Sequence, residues 1–244
     1  MVLFYSVFYL IVMLVLIMKI NIISNLFNSL NPNYYHLKGQ YYRASYYNSI
    51  MNSTFSLDDD EKENIDSLSR IADDFLPFDR QRRTDILDPM YEKYKKGISE
   101  RQVKSIVAKL CNYLKLELKH LEIKIFEINN YYKGHLGYFM PKGTIGGIVG
   151  ISIHKYYDIK ILVSIIVHEC MHYFMHVHGL EISNGKNEAF TDFMGVYLGL
   201  GKYLINGYQQ IHIINDNFIS GFKKFAVGYL NDRQLAHLEA RYQF

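Results

Sequence analysis

The chain has 244 residues, 49% hydrophobic and 21% charged, with a formal net charge of +3. This suits one globular domain with appendages and rules out two large domains. So small a charge, with no Lys/Arg stripe interleaved with aromatics, gives no reason to expect nucleic acid as a partner.

Taken in order, the N-terminus comes first. Residues 2–18, "VLFYSVFYLIVMLVLIM", carry no charge, and Lys19 follows. Seventeen helical residues reach roughly 26 Å, the short end of a membrane span. With Lys19 snorkelling, the apolar register extends to Ile23. No basic segment precedes the run and no small-x-small cleavage signal follows it. Residues 1–23 are therefore expected to be an uncleaved single-pass transmembrane anchor rather than a signal peptide. Lys19, Lys38 and Arg43 all follow the run, which places the body of the chain in the cytoplasm by the positive-inside tendency. Residues 24–56, rich in Asn, Ser and Tyr without a regular period, are expected to be a juxtamembrane linker. The domain proper is expected at 57–244, beginning with a helical segment.

Within it, "LDDDEKEN" precedes Ile65, Leu68, Ala72, Phe75 and Leu76 at amphipathic spacing, and Pro77 closes the segment. The acidic run sits where a helix dipole favours negative charge, so it implies no calcium. "DRQRRTD" at 79–85 is flanked by acids and reads as a solvated helix end or loop. Ser99 and Gln102 predict a capping box, with Ile98 and Val103 placed to staple across it. The stripe Val103, Ile106, Val107, Leu110 and Leu114 is a core face.

The period then changes. "LEIKIFEI" (121–128), "HLGYFM" (135–140) and "GGIVGISIH" (146–154) read as strands of a small sheet, with a turn at "PKGT". An extended peptide is expected to add to an exposed edge of the last of these, where Gly146, Gly147 and Gly150 would permit close approach. The competing reading of those glycines is a bulged, tightly packed strand. From Asp158, an N-cap candidate, "IKILVSIIV" leads into "HECMHYFMHVH" (168–178) and Gly179, a C-cap residue. This predicts a buried helix of about twenty residues. "EAFTDFMGVYLGLGKYLI" (188–205) returns to helical spacing, with Gly195, Gly199 and Gly201 as a small face packed on the preceding helix. The last predicted helix starts from Asn231 or Asp232. The fold class expected is α+β.

His168 and His172 lie four apart and so stack on one helical face, the spacing two imidazoles need to share one ion. Glu169 stands beside them. This is H-E-x-x-H, in which the glutamate serves as general base of a metalloprotease. A catalytic zinc takes three protein ligands and leaves one position open. His178 lies six residues after His172, but Met175 occupies the place where a glycine would let the chain turn back. If the helix continues to Gly179, His178 has rotated away and His176 is out of reach. The other candidate is Glu188 on the next helix, with Asp192 four residues on and able to accept a ligand histidine's far N–H. Cys111 and Cys170 are too few for a disulfide framework and are expected to be free, buried thiols, Cys170 pointing off the His168/His172 face.

"VHECMH" followed by "NEAFTD" resembles the gluzincin metallopeptidases, the thermolysin-like enzymes among them, over residues 167–192. The resemblance implies a zincin-like domain: a small sheet packed on an H-E-x-x-H helix and a following Glu-bearing helix. It implies Zn2+ held by His168, His172 and Glu188, with Glu169 as base and Asp192 holding a ligand histidine. "TDFMGVYLGLG" and "GYL" at 228–230 also resemble an uncharacterised group of bacterial H-E-x-x-H proteins. No match to the gluzincins' downstream transition-state histidine is found, and Tyr203, Tyr208, His212, Tyr229 and His237 stay open for that role. The function expected is a membrane-anchored zinc endopeptidase acting on a peptide or protein substrate. The alternative is a membrane-anchored zincin-like regulatory or binding module that does not hydrolyse.

Overall fold

The computed structural model describes residues 57–75, 84–94, 99–127, 136–153, 159–182, 186–207, 209–215, 218–225 and 228–242. The expected anchor and linker, Asp158 and most of "DRQRRTD" lie outside these residues. In chain order the elements are α1 (Asp59–Phe75), α2 (Asp88–Lys93), α3 (Glu100–Tyr113), a 3-10 turn (Leu118–His120), β1 (Leu121–Glu127), β2 (Gly137–Lys142) and β3 (Gly146–Ile153). They continue with α4 (Ile159–His178), α5 (Asn187–Tyr197), α6 (Gly201–Gly207), β4 (Gln209–Asn215), β5 (Phe218–Phe225) and α7 (Asp232–Tyr242). Among the described residues no helix is long and apolar enough to cross a membrane.

Local chemistry starts the helices. Asp58 and Glu61 bond each other's backbone N–H at 2.8 and 3.2 Å, a reciprocal cap that uses the acidic run. Gln102 accepts from the Ser99 N–H at 2.5 Å, and Val103, Ile106, Val107 and Leu110 are buried beneath α3. Asn231 and Gln234 repeat the reciprocal pattern at the start of α7. Helix α4 ends at Gly179, whose φ of 64° lets the Leu180 N–H reach back to Met175 O at 2.8 Å.

The sheet is mixed, in the order β1-β3-β2, with β1 parallel and β2 antiparallel to β3. Central β3 is paired on both sides, so it has no exposed edge for a peptide; among the described residues the open edges belong to β1 and β2. Its glycines seat side chains of its neighbour. A Cβ at Gly147 would run into the Phe139 ring and one at Gly150 into the Tyr138 ring, so packing within the sheet accounts for both positions. Strand β2 continues through Pro141 and Lys142, and the turn falls at 143–145. An edge strand tolerates proline because one row of its N–H groups lacks a strand partner.

Ile123, Val149 and Phe139 share the sheet face toward α4, while Glu122, Lys124, Met140 and Lys142 are exposed on the other. Helix α4 lies between this sheet and helices α3, α5 and α6, and almost all of its residues from Ile159 to Met175 are buried. The apolar periodicity over 188–205 reads as one helix, but the chain breaks it in two. Gly199 takes φ 77°, and Leu200 N–H bonds to Gly195 O at 2.8 Å, ending α5 before α6 begins. The three glycines therefore share no face. Gly195 packs on Leu204 and, less closely, Met171; Gly199 makes the turn; Gly201 abuts Glu239 of α7.

Candidate metal centre

The second half of α4 presents His168 and His172 toward α5, and the first turn of α5 presents Glu188. The two imidazole Nε2 atoms are 3.2 Å apart, and Glu188 Oε2 lies 3.1 Å from the first and 3.0 Å from the second. Three ligand-type atoms from two helices thus form a nearly equilateral triangle. They are the sole such group among the described residues. Bonds of 2.0–2.1 Å to a tetrahedral zinc set its ligand atoms about 3.3 Å apart, so the triangle is within a few tenths of an ångström of that size. The Glu188 side chain is 38% exposed against 8% for His168 and 12% for His172, which leaves one side of the triangle facing out.

The far nitrogens decide whether the triangle suits a cation. His168 Nδ1 is 2.8 Å from Asp192 Oδ1. Asp192 is fully buried, and its Oδ2 accepts from the backbone N–H groups of Tyr229 and Leu230 at 2.6 and 2.9 Å. The turn that supplies them needs Gly228, with φ 102°, because a Cβ there would occupy the Asp192 carboxylate. His172 Nδ1 is 3.3 Å from Thr191 Oγ1. With both Nδ1 atoms donating outward, both Nε2 lone pairs point inward at one another and at Glu188. Such an arrangement repels itself unless positive charge sits between the atoms, and a divalent ion satisfies all three at once.

The electrostatics agree. Burial opposes charge on His168, but Asp192, Glu188 and Glu169 outweigh it and raise its pKa to about 10. The His168 and His172 imidazoles beside it hold the Glu188 carboxyl well below the usual carboxylate range. Glu169, 6% exposed, is pushed up to about 7 by burial against the pull of the two histidines. It lies against the start of β2: a Cβ at Gly137 would stand 2.5 Å from Glu169 Oε1. Its carboxyl is thus buried, near neutrality and beside the triangle of ligand-type atoms.

Other residues singled out in the sequence lie elsewhere. Helix α4 runs through His178, which packs on the Phe174 ring. His176 bonds Gly143 O at 2.9 Å and so ties α4 to the β2–β3 turn. Cys170 is fully buried; its hydrogen bond to Cys111 on α3 and its burial push its thiol up, and both cysteines are free. Tyr203 is buried with its hydroxyl bonded to Leu87 N and Asp88. Tyr229 is 69% exposed, with its backbone on Asp192, and His237 is exposed on α7. The side chains of Tyr208 and His212 lie outside the described residues.

Sequence reasoning missed Thr191 and Gly137, and it noted the likeness at 228–230 without linking that turn to Asp192. Thr191 carried a signal: Glu188, Thr191 and Asp192 stand at i, i+3 and i+4, one face of a helix. Gly137 carried none, and the likeness at 228–230 did not show what the turn contacts, since strand and loop approach is set by the tertiary fold. The chain matches no protein-family model, no curated protein and no solved structure.

Proposed function

We propose that the chain is a zinc-dependent endopeptidase of gluzincin type, with His168, His172 and Glu188 as ligands and Glu169 as general base. The observation that carries this reading is the convergence of His168 Nε2, His172 Nε2 and Glu188 Oε2 within 3.0–3.2 Å, next to a buried glutamate. A structural zinc site closes its fourth position and has no use for a base.

Bound zinc supplies Lewis acidity, bringing a water's pKa down to about 7 and polarising a peptide carbonyl. Glu169 takes the water's proton on a carboxylate oxygen and returns it to the leaving amine nitrogen. A pKa near 7 suits both transfers, and the positive charge of the neighbouring histidines favours the ionised glutamate against burial. Asp192 holds the His168 ring so that Nε2 stays turned to the site. The free edge of β2, not that of β3, is the platform for an extended substrate. A peptide bonded along it passes Gly137, whose missing side chain leaves Glu169 room.

The wider organisation belongs to the same proposal. Residues 1–23 anchor the chain in a membrane, 24–56 tether it, and 57–244 form a zincin-like catalytic domain on the cytoplasmic side. The uncharged run of residues 2–18 supports this.

The test is metal content and peptide-library cleavage, compared between the wild-type chain and Glu169→Gln. Stoichiometric zinc in both, with cleavage in the wild type alone, is the expected result. Zinc in both and cleavage in neither favours the non-hydrolytic module. Cleavage by the variant at the wild-type rate overturns the mechanism.

A further inference from the structure

Asp192 holds the first imidazole, but among the described residues no carboxylate meets the far nitrogen of the second. Its far nitrogen meets a hydroxyl instead: Thr191 Oγ1, on a fully buried side chain, 3.3 Å from His172 Nδ1. The same hydroxyl donates to Asn187 O at 2.8 Å, and Met175 Sδ, a much weaker acceptor, lies 3.4 Å away. A hydroxyl has one proton to give. Spent on the carbonyl, it leaves Oγ1 as an acceptor, and the contact with His172 then works in one sense only, with Nδ1–H donating to Oγ1. Nε2 is left unprotonated and faces Glu188 Oε2 at 3.0 Å. The Phe139 ring, parallel to the imidazole within 2°, flanks it on the sheet side.

We infer that Thr191 is a positioning residue for His172: its hydroxyl, oriented by Asn187 O, selects the Nδ1–H tautomer and so presents Nε2 as a ligand for a divalent cation. The inference rests on the metal reading of the site. The helix face Glu188, Thr191 and Asp192 then does three jobs. One residue supplies a ligand atom, and the other two each orient one of the histidines that supply the rest. The two imidazoles differ as donors. His168 leans on an anion, whereas His172 leans on a neutral hydroxyl.

The competing account is that Thr191 merely bonds back to the carbonyl four residues earlier, as buried helical threonines do. Two substitutions separate them. Thr191→Val keeps the shape and removes the hydroxyl; Thr191→Ser keeps the hydroxyl and loses a methyl. The readouts are the imidazole nitrogen shifts of His172 in the zinc-free chain and zinc affinity by competition with a chromophoric chelator. In Thr191→Val, His172 is expected to move from a single Nδ1–H tautomer to a mixture, with zinc affinity falling about tenfold or more. Thr191→Ser is expected to keep the wild-type tautomer and stay within about threefold in affinity, a rescue that lost packing would not give. Wild-type nitrogen shifts and affinity in Thr191→Val overturn the inference. His172→Ala, which removes the ligand itself, calibrates complete loss. A wild-type chain that takes up no zinc overturns the metal reading, while the nitrogen shifts still decide for or against the Thr191–His172 bond. Should Thr191→Val not fold, a tautomer mixture in folded Thr191→Ser counts against the inference and a single tautomer in it counts for it.

Discussion

The two halves of α4 are held in place differently. From Ile159 to Val167 the helix is apolar apart from Lys160 and Ser164, and packing holds it, with Ser164 bonding Leu204 O of α6. From His168 to His178 four polar side chains each meet a specific atom on another element. His168 meets Asp192, His172 meets Thr191, Tyr173 meets Glu117 O and Ile145 O, and His176 meets Gly143 O. Apolar burial is non-directional and tolerates small adjustments, whereas a buried hydrogen bond fixes distance and angle. The candidate metal site thus lies in the half whose side chains are fixed by hydrogen bonds, and the other half is held by packing.

Substitutions in each half should fail in different ways. The largest effect expected is in the polar half. Glu169→Gln should lower the proposed hydrolysis by about 10²–10⁴-fold, the usual worth of a general base, with zinc content and melting temperature unchanged. Metal analysis, calorimetry and initial rates on one preparation check all three. Leu162→Ala, in the apolar half, should do the reverse. Removing a fully buried leucine side chain costs about 2–5 kcal/mol of folding stability. The zinc affinity of the molecules that stay folded should hold within a few-fold, as read by denaturant titration beside chelator competition. A large affinity loss in Leu162→Ala would mean that the two halves are not separable.

Asp192→Asn comes next. It keeps the carboxylate's shape but removes the anion behind His168, and loss of such a partner weakens metal binding about 10–100-fold. Competition with a chelator measures it.

Proton competition gives a further handle on the polar half. In the chelator-treated chain His168 is protonated below about pH 10, so an entering cation must displace that proton. Zinc affinity is therefore expected to rise with pH across the neutral range, with about one proton released per zinc. Titration calorimetry in buffers of different ionisation enthalpy counts it. For the zinc-free fold the sign runs the other way. A pKa raised from 6.5 to about 10 contributes stability that is complete below pH 6.5 and lost as the pH rises through 10.

The same contrast explains what could be read from the sequence. The apolar half of α4, its H-E-x-x-H turn and its glycine stop are local patterns, as are the capping residues at Ser99 and Asn231, and each was legible. Glu188 and Asp192 were candidates because an acidic pair at helical spacing is also local. The position of β3 between β1 and β2 was not legible, because strand order depends on partners far away in sequence. The break at Gly199 was hidden because α5 and α6 are both buried, so the apolar spacing runs on through the turn. The β4–β5 hairpin was missed because a register irregularity at Ile213/Ile214 interrupts its pairing, and an interrupted ladder breaks the alternation by which a strand is recognised.

That break supplies the smallest of the expected effects and the finest test of the comparison. Helix α5 serves the polar half of α4 through Glu188, Thr191 and Asp192, and α6 serves the apolar half through Leu204. The turn at Gly199 is what sends the chain from one to the other, and its φ of 77° is a conformation that side-chain-bearing residues adopt at a cost. Gly199→Ala should therefore destabilise the fold by about 1–2 kcal/mol, the left-handed penalty for an L-residue. The strain falls between the two halves and touches no ligand. Zinc affinity should stay at the wild-type level while the denaturation midpoint drops. If affinity falls with stability, α5 is registered on α4 by its connection to α6 rather than by the contacts of Glu188, Thr191 and Asp192, and the polar half is less self-sufficient than its hydrogen bonds imply.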